Sequence, residues 1–194
     1  MRAPSPWLLV LCALASPWLY AVADAWGLDS LMQTLAQNQS GRARFSERKF
    51  IALLDQPVES SGELVYVAPD HLEKNTFKPV PEGLVLDRGL LTIEREGRKH
   101  TLPLSDYPDV AAFIDSIRGT LAGDRQALER VYRLFLGGSS RHWTLALQPL
   151  APAMAASISR ITIVGEAGQI RSVEINQADG DRSVMAITPV APTP

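Results

Sequence analysis

The sequence predicts an α+β protein. About ten or eleven antiparallel strands form one curled sheet, with short helices before and between them and one longer helix over the concave face. Three observations carry this reading. From residue 41 onward, apolar residues recur mostly at every second position. Turn residues punctuate them at short intervals: Asp87-Arg88-Gly89, Glu96-Gly97-Arg98, Glu166-Ala167-Gly168 and Asp179-Gly180. One segment, Tyr107 to Asp124, changes to a helical period, with Val110, Phe113, Ile114, Ile117 and Leu121 on one stripe.

Residues 1–23 stand outside that domain. They begin with Arg2, run through an uncharged apolar stretch and reach Ala21-Val22-Ala23, the pattern of a secretory signal cleaved before Asp24. Pro17 interrupts the apolar run, which makes a retained N-terminal anchor the secondary alternative. Cleavage removes Arg2, no acid and Cys12, the chain's one cysteine, and takes the formal net charge from −2 to −3. The expected product is an exported, soluble monomer without disulfides. Leu11 before Cys12 is also unlike the small residue of a lipoprotein signal. The mild acidity, with no basic stripe, argues against nucleic acid as a partner. Residues 24–188 are expected to form one domain and 189–194 a loose Pro-rich tail.

In order, Leu28, Leu31, Met32, Leu35 and Ala36 mark a first short helix, ended by Asn38 to Gly41. Residues 41–55 read as a strand, with Ala43 and Phe45 on one face and Arg42, Arg44 and Ser46 on the other. Residues 60–69 read as a second strand stopped by Pro69, and 70–79 as an unusually polar third. Residues 82–104 hold three short strands. Loops this short suit an antiparallel meander. The helix from Pro108 to Ala122 follows, with Asp106 as expected cap, Pro108 in the first turn and Gly123 as terminator. Its polar side, Asp109, Asp115, Ser116 and Arg118, is expected to face water. A shorter helix capped by Asp124, with Ala127, Leu128 and Val131 inward, leads to a strand by Tyr132. Trp143, Leu145 and Leu147 mark the next strand, residues 151–159 a helical turn or two, and residues 160–190 three more strands.

Catalytic constellations are poorly supported, and the chain is read as no enzyme. His71, His100 and His142 are far apart and none has metal-ligand spacing, so no metal and no cofactor is expected. Ser139-Ser140 near His142 lacks the nucleophile elbow and falls where a strand turn belongs. Gly137-Gly138 precedes no lysine-bearing helix, so it is no phosphate loop. The acids are scattered and suggest no acid–base pair.

The residues resemble one family across nearly all of the chain downstream of the signal: the periplasmic lipoprotein carriers of the LolA type. After the N-terminal helix, Phe45 and Glu47 stand two apart, as the family's Phe and Gln or Glu do in its first strand. Residues 62–79 are similar to its Gly-x-Leu…Pro segment and following strand, and residues 82–93 to its strand, turn and strand. A helical insertion and paired C-terminal strands complete the order. There are two departures. Ala68 stands where the family often has a basic residue before the proline, and Glu73, Lys74 and Asn75 make the third strand more polar than usual.

The resemblance implies an incomplete, unclosed antiparallel barrel with a helical lid over an apolar cavity that receives acyl chains of a lipoprotein or other lipid. It also implies an inner-membrane exporter that loads the carrier and an outer-membrane acceptor that unloads it. The candidate wall residues are Phe45, Leu64, Tyr66, Leu72, Leu84, Leu86, Leu91, Ile93, Trp143, Leu145, Ile161, Ile163, Val173 and Ile175. The lid candidates are Val110, Phe113, Ile114, Ile117 and Leu121. From periodicity alone, a filled core is the favoured reading of the same residues. An adaptor of a lipid or pigment-lipid export system, binding a protein partner on the concave face, is the alternative function.

Overall fold

The computed structural model describes residues 26–191, so the proposed signal and its cleavage site lie outside the described residues. Helix α1 (Leu28–Ala36) precedes six strands: β1 (Ser40–Phe50), β2 (Val58–Val67), β3 (His71–Lys78), β4 (Glu82–Asp87), β5 (Leu90–Arg95) and β6 (Arg98–Pro103). A 3-10 turn, Leu104–Asp106, leads into α2 (Pro108–Ala122) and α3 (Arg125–Val131). Then come β7 (Tyr132–Gly138), β8 (Trp143–Pro149), α4 (Pro152–Ala155), β9 (Ile158–Glu166), β10 (Gln169–Gln177) and β11 (Arg182–Pro189). Among the described residues no helix is long and apolar enough to cross a membrane.

The strands form one eleven-stranded sheet in the order β6-β5-β4-β3-β2-β1-β11-β10-β9-β8-β7, with every neighbouring pair antiparallel. Sequence neighbours pair throughout except β6 with β7, and β11 returns to pair with β1. β6 and β7 are the two edges, so the sheet is an unclosed barrel.

Local chemistry explains most element ends. Gly123 caps α2 at φ 65°, the left-handed geometry that glycine adopts without a Cβ clash. A Cβ there would lie 2.1 Å from the Met32 carbonyl oxygen, so the same glycine lets α2 approach α1. The Asp124 carboxylate accepts a hydrogen bond from the Ala127 N–H at 2.8 Å and caps α3.

Four expectations are corrected. Asp106 does not cap α2: it sits in the 3-10 turn, and Tyr107 occupies the cap position without a side-chain bond. β1 stops at Phe50 rather than residue 55, leaving Leu53 93% exposed in the following turn. β1 also begins at Ser40, inside the stretch expected to end α1. At the C-terminus, Pro189 belongs to β11, and the Val190 N–H donates to the Arg42 carbonyl at 2.8 Å. Pro189 and Val190, expected in the tail, are therefore tied to the sheet.

The core is concentrated at one end of the sheet. Leu31, Met32 and Leu35 of α1 and Leu128 of α3 cover Tyr132, Trp143, Leu145, Leu147, Ile161 and Ile163, with Met154 of α4 at the margin. The Trp143 indole donates to the Ala167 carbonyl at 2.8 Å, and its ring lies over Gly165, its partner across β8 and β9. A Cβ at Gly165 would stand 2.1 Å from the ring atom Cζ2, whereas one at Gly137 would meet nothing within 4 Å. Gly165→Ala is therefore expected to destabilise the fold by about 2 kcal/mol through overpacking. Gly137→Ala should be close to neutral. Denaturant midpoints followed by tryptophan fluorescence check the pair.

Candidate functional site

In an antiparallel ladder, directly opposed residues share a face. From β7 to β2, register links Leu136, Leu145, Ile163, Val173, Met185, Glu47 and Ser60, and a parallel row from β7 to β11 links Leu134, Leu147, Ile161, Ile175 and Ser183. On the other side of β1, Leu64 opposes Ala43 and Lys74, Lys74 opposes Leu84, and Leu84 opposes Ile93. Tyr66 opposes Gly41 and Leu72, Leu72 opposes Leu86, and Leu86 opposes Leu91. Phe45 opposes Ile187. All fourteen wall candidates therefore lie on one face of the sheet.

Burial divides them into two groups. Trp143, Leu145, Ile161 and Ile163 are sealed against the helices at 0–1% exposure. Leu64, Leu72, Leu84, Leu91, Ile93, Val173 and Ile175 are only half-buried, while Phe45, Tyr66 and Leu86 are buried. The first group packs against protein. Of the second group, Val173 packs against the margin of that core, while Leu64, Leu72, Leu84, Leu91 and Ile93 lie side by side on β2–β5 and are incompletely covered. Sequence reasoning put Ala43 on the face of Phe45 without counting it in the wall, and it missed Leu102, Met185 and Ile187; all four share this face through their partners Leu64, Leu91, Val173 and Phe45.

Helix α2 packs on α1 and α3. The face it buries there is its small one, against expectation. Ser116 is 1% exposed, and Gly119 comes so close to Leu128 that a Cβ would stand 3.1 Å from it. Thr120 is also buried and donates its hydroxyl to the Ser116 carbonyl at 2.8 Å. Ser116 was expected to face water; it bonds instead to the Tyr132 hydroxyl on the inner face of β7. The expected apolar stripe is left half-buried at Ile114, Ile117 and Leu121. The side chains of Asp109, Val110 and Phe113 lie outside the described residues. Asp115 and Arg118, also expected to face water, are half-buried and pair with each other at 2.8 Å.

Two tyrosines connect α2 to opposite parts of the sheet. Burial raises the Tyr132 pKa, and Asp115 adds to the rise, against the Ser116 bond that lowers it. Burial also raises that of Tyr66 on β2, while the Arg118 charge pulls it down. The Tyr66 hydroxyl is buried without a hydrogen-bond partner. Through Ser116 and Arg118, α2 thus reaches both the sealed and the open part of the face.

A polar group interrupts the apolar wall at mid-sheet. Glu47 of β1 accepts from Lys74 of β3 at 2.6 Å, from Ser183 of β11 at 2.5 Å and from Ser60 of β2 at 3.3 Å. The Lys74 ammonium also stands 5.0 Å from the Phe45 ring centroid. The signal was present in the sequence: Glu47 is in phase with Phe45, and Lys74 with Leu72. Beside this group, Ser60, Lys74, Thr76, Pro79, Val80, Glu82 and Arg95 line a cleft of about 220 Å³. A second cleft, of about 470 Å³, lies on the helix layer among Asp29, Gly123, Asp124, Arg125, Gln126 and Glu129, away from the apolar face.

The convex face is polar. Arg48 pairs with Glu59 at 3.1 Å, and His71 stands 2.8 Å from Glu73 and 3.7 Å from Asp87. The bond to Glu73 raises the His71 pKa despite some desolvation. Among the described residues, no group of three or more His, Cys, Asp or Glu side chains is placed to hold a metal ion. Ser139 bonds through its backbone N–H to the His142 carbonyl in the β7–β8 turn.

Burial alone would raise the pKa of Glu47. Lys74, Ser183 and Ser60 outweigh it and hold the carboxyl below its ordinary 4.5. Because the folded value lies below the unfolded one, the stabilisation is fully present above 4.5 and drains as pH falls through the folded value. Glu47→Gln is expected to cost about 2 kcal/mol at neutral pH. The gap between variant and parent should narrow as the medium is acidified well below 4.5. Thermal unfolding of both proteins across that range checks it.

The chain is similar in fold to several solved structures at low identity. A LolA-superfamily protein from Nitrosomonas europaea is 11% identical over 88% of this chain and 96% of its own, with a TM-score of 0.46. A putative outer membrane lipoprotein-sorting protein domain from Vibrio parahaemolyticus is 7% identical over 86% and 92%, with a TM-score of 0.41. The MucA/MucB complex of Pseudomonas aeruginosa matches at 14% over 86% and 58%, with a TM-score of 0.47. No curated protein matches by sequence. The family described as outer membrane lipoprotein carrier protein LolA-like matches residues 20–191, nearly the whole of this antiparallel, unclosed, helix-covered sheet, and the chain belongs to it.

Proposed function

We propose that the protein is a periplasmic carrier, exported by its N-terminal signal. In this reading it binds the acyl chains of a lipoprotein or other lipid in the open groove. It takes them from an inner-membrane exporter and delivers them to an outer-membrane acceptor. One observation carries the proposal: the inner face continues past its helical cover as half-buried Leu64, Leu72, Leu84, Leu91 and Ile93, while Ile114, Ile117 and Leu121 of α2 also stay half-buried. Two incompletely covered apolar surfaces in one molecule suit a ligand with long chains.

No covalent step is required. Each methylene leaving water gains about 0.8 kcal/mol, so a sixteen-carbon chain gains roughly 12 kcal/mol. A bilayer offers nearly the same gain. A carrier therefore works near balance, where small differences in how α2 covers the groove decide loading or release.

The test separates groove from core. In delipidated protein, Ile117→Asp should leave the fold intact, because water reaches a half-exposed position, and should weaken a fluorescent fatty-acid probe by about tenfold. Leu145→Ala, inside the sealed core, should cost about 3 kcal/mol and leave probe affinity of the folded protein unchanged. Absence of probe binding by the parent protein would overturn the carrier reading.

A further inference from the structure

Three strands of the open half carry charge on the inner face: β3 at Lys74, β4 at Glu82 and β5 at Arg95. On the inner face, Lys74 stands between Leu64 and Leu84, and Arg95 opposes Glu82, itself opposite Thr76. Lys74, Arg95, Glu82 and Thr76 all line the cleft of about 220 Å³, closed on one side by Pro79 and Val80. The cleft continues directly into the apolar rows. From Thr76 to Leu72 the strand advances about 13 Å, past the Leu64–Leu84–Ile93 level to the Tyr66–Leu86–Leu91 level. An acyl chain lying on those rows leaves its polar end in the cleft.

The cleft is lined by Lys74, Arg95 and Glu82, and Glu47, just outside the lining, supplies the second carboxylate through its pair with Lys74. Lys74 is held 2.6 Å from Glu47, and Arg95 is loosely paired with Glu82 at 4.0 Å. A simple anion entering here would be repelled by both carboxylates, and a simple cation by Lys74 and Arg95. A group carrying a phosphate and an ammonium a few ångströms apart meets neither obstacle. Its phosphate accepts from Arg95, Lys74 and the Thr76 hydroxyl. Its ammonium donates to Glu82, whose pair with Arg95 has slack to open.

We propose that the cleft bounded by Lys74, Thr76, Glu82 and Arg95 is the headgroup site of a zwitterionic amphiphile, an ammonium–phosphate lipid of the phosphoethanolamine type. The proposal rests on the carrier reading and names the chemical class of its cargo.

The experiment is calorimetric titration of the delipidated protein with probes of equal tails: dihexanoyl phosphatidylethanolamine, dihexanoyl phosphatidylglycerol and dihexanoylglycerol. Free phosphoethanolamine is a fourth arm. The zwitterionic lipid should bind about tenfold more tightly than the other two lipids, and free phosphoethanolamine far more weakly than the lipid. Arg95→Gln and Glu82→Gln should each erase the preference, with unchanged thermal unfolding showing that the sheet is intact. Lys99→Gln, on the outer face, should keep the preference. Equal affinity for the three lipids, a preference for the glycerol phosphate, or a preference that survives both substitutions would overturn the headgroup site. Phosphoethanolamine binding as tightly without chains would also overturn it, in favour of a soluble ligand. If the parent still binds a fatty-acid probe, such a result removes the headgroup site alone. If it binds no amphiphile, the carrier reading falls with it.

Discussion

A sheet of eleven strands has more apolar inner face than the helices of this chain cover. Apolar surface is driven out of water, and a sheet ordinarily meets that demand by closing on itself or by packing against a full second layer. Neither happens here. The edges β6 and β7 stay apart in the strand order, and α1, α3 and α4 seal only the end formed by β7, β8 and β9. Among the described residues α2 is the longest helix, and it is the element that decides how much of the remaining face is covered.

How α2 is attached follows from its composition. Ser116, Gly119, Thr120 and Gly123 recur at three- and four-residue spacing, and together they form a small, close-packing face against α1 and α3. Small side chains let helices approach closely, and the Ser116–Tyr132 bond fixes the contact. The usual allocation for an amphipathic helix, with apolar residues in and polar residues out, is therefore rotated. Ile114, Ile117 and Leu121 are left half-buried beside that small face.

Most of the fold was legible because its signals are local. Period-two alternation and short turns gave every strand. Glycine placed the turns well: Gly89 and Gly97 both have positive φ, each after a non-glycine residue that shares it, Arg88 and Glu96. The helix from Pro108 to Ala122 was legible at both ends. Three things were not. The buried role of Ser116 depends on a partner in β7, sixteen residues on, which no helical period reveals. The division of the wall list into sealed Leu145 and half-open Leu84 depends on where α1 lands, and both residues alternate identically in sequence. The Glu47–Lys74 pair was in phase with its apolar neighbours, but strand polarity draws attention to a strand as a whole and away from the face each residue occupies.

That pair stands at the join between the two halves. Glu47 bonds to side chains of β2, β3 and β11 from its own place in β1, so one carboxylate spans the four strands at mid-sheet. An ion pair taken from water is a poor source of net stability compared with well-packed apolar side chains of the same volume, because desolvation offsets the attraction. Stability is better supplied by the dense cluster around Trp143 and Leu145, where there is little left to expose. What the pair supplies is position. It holds Lys74 over Phe45 and fixes the register at which the filled core gives way to open groove. A carrier needs those two halves to be independent. The sealed half must persist whether cargo is present or absent, and the open half must exchange its contents at little net free energy. Placing the stabilising contacts on β7–β9 and the uncovered ones on β2–β5 meets both conditions within a single sheet.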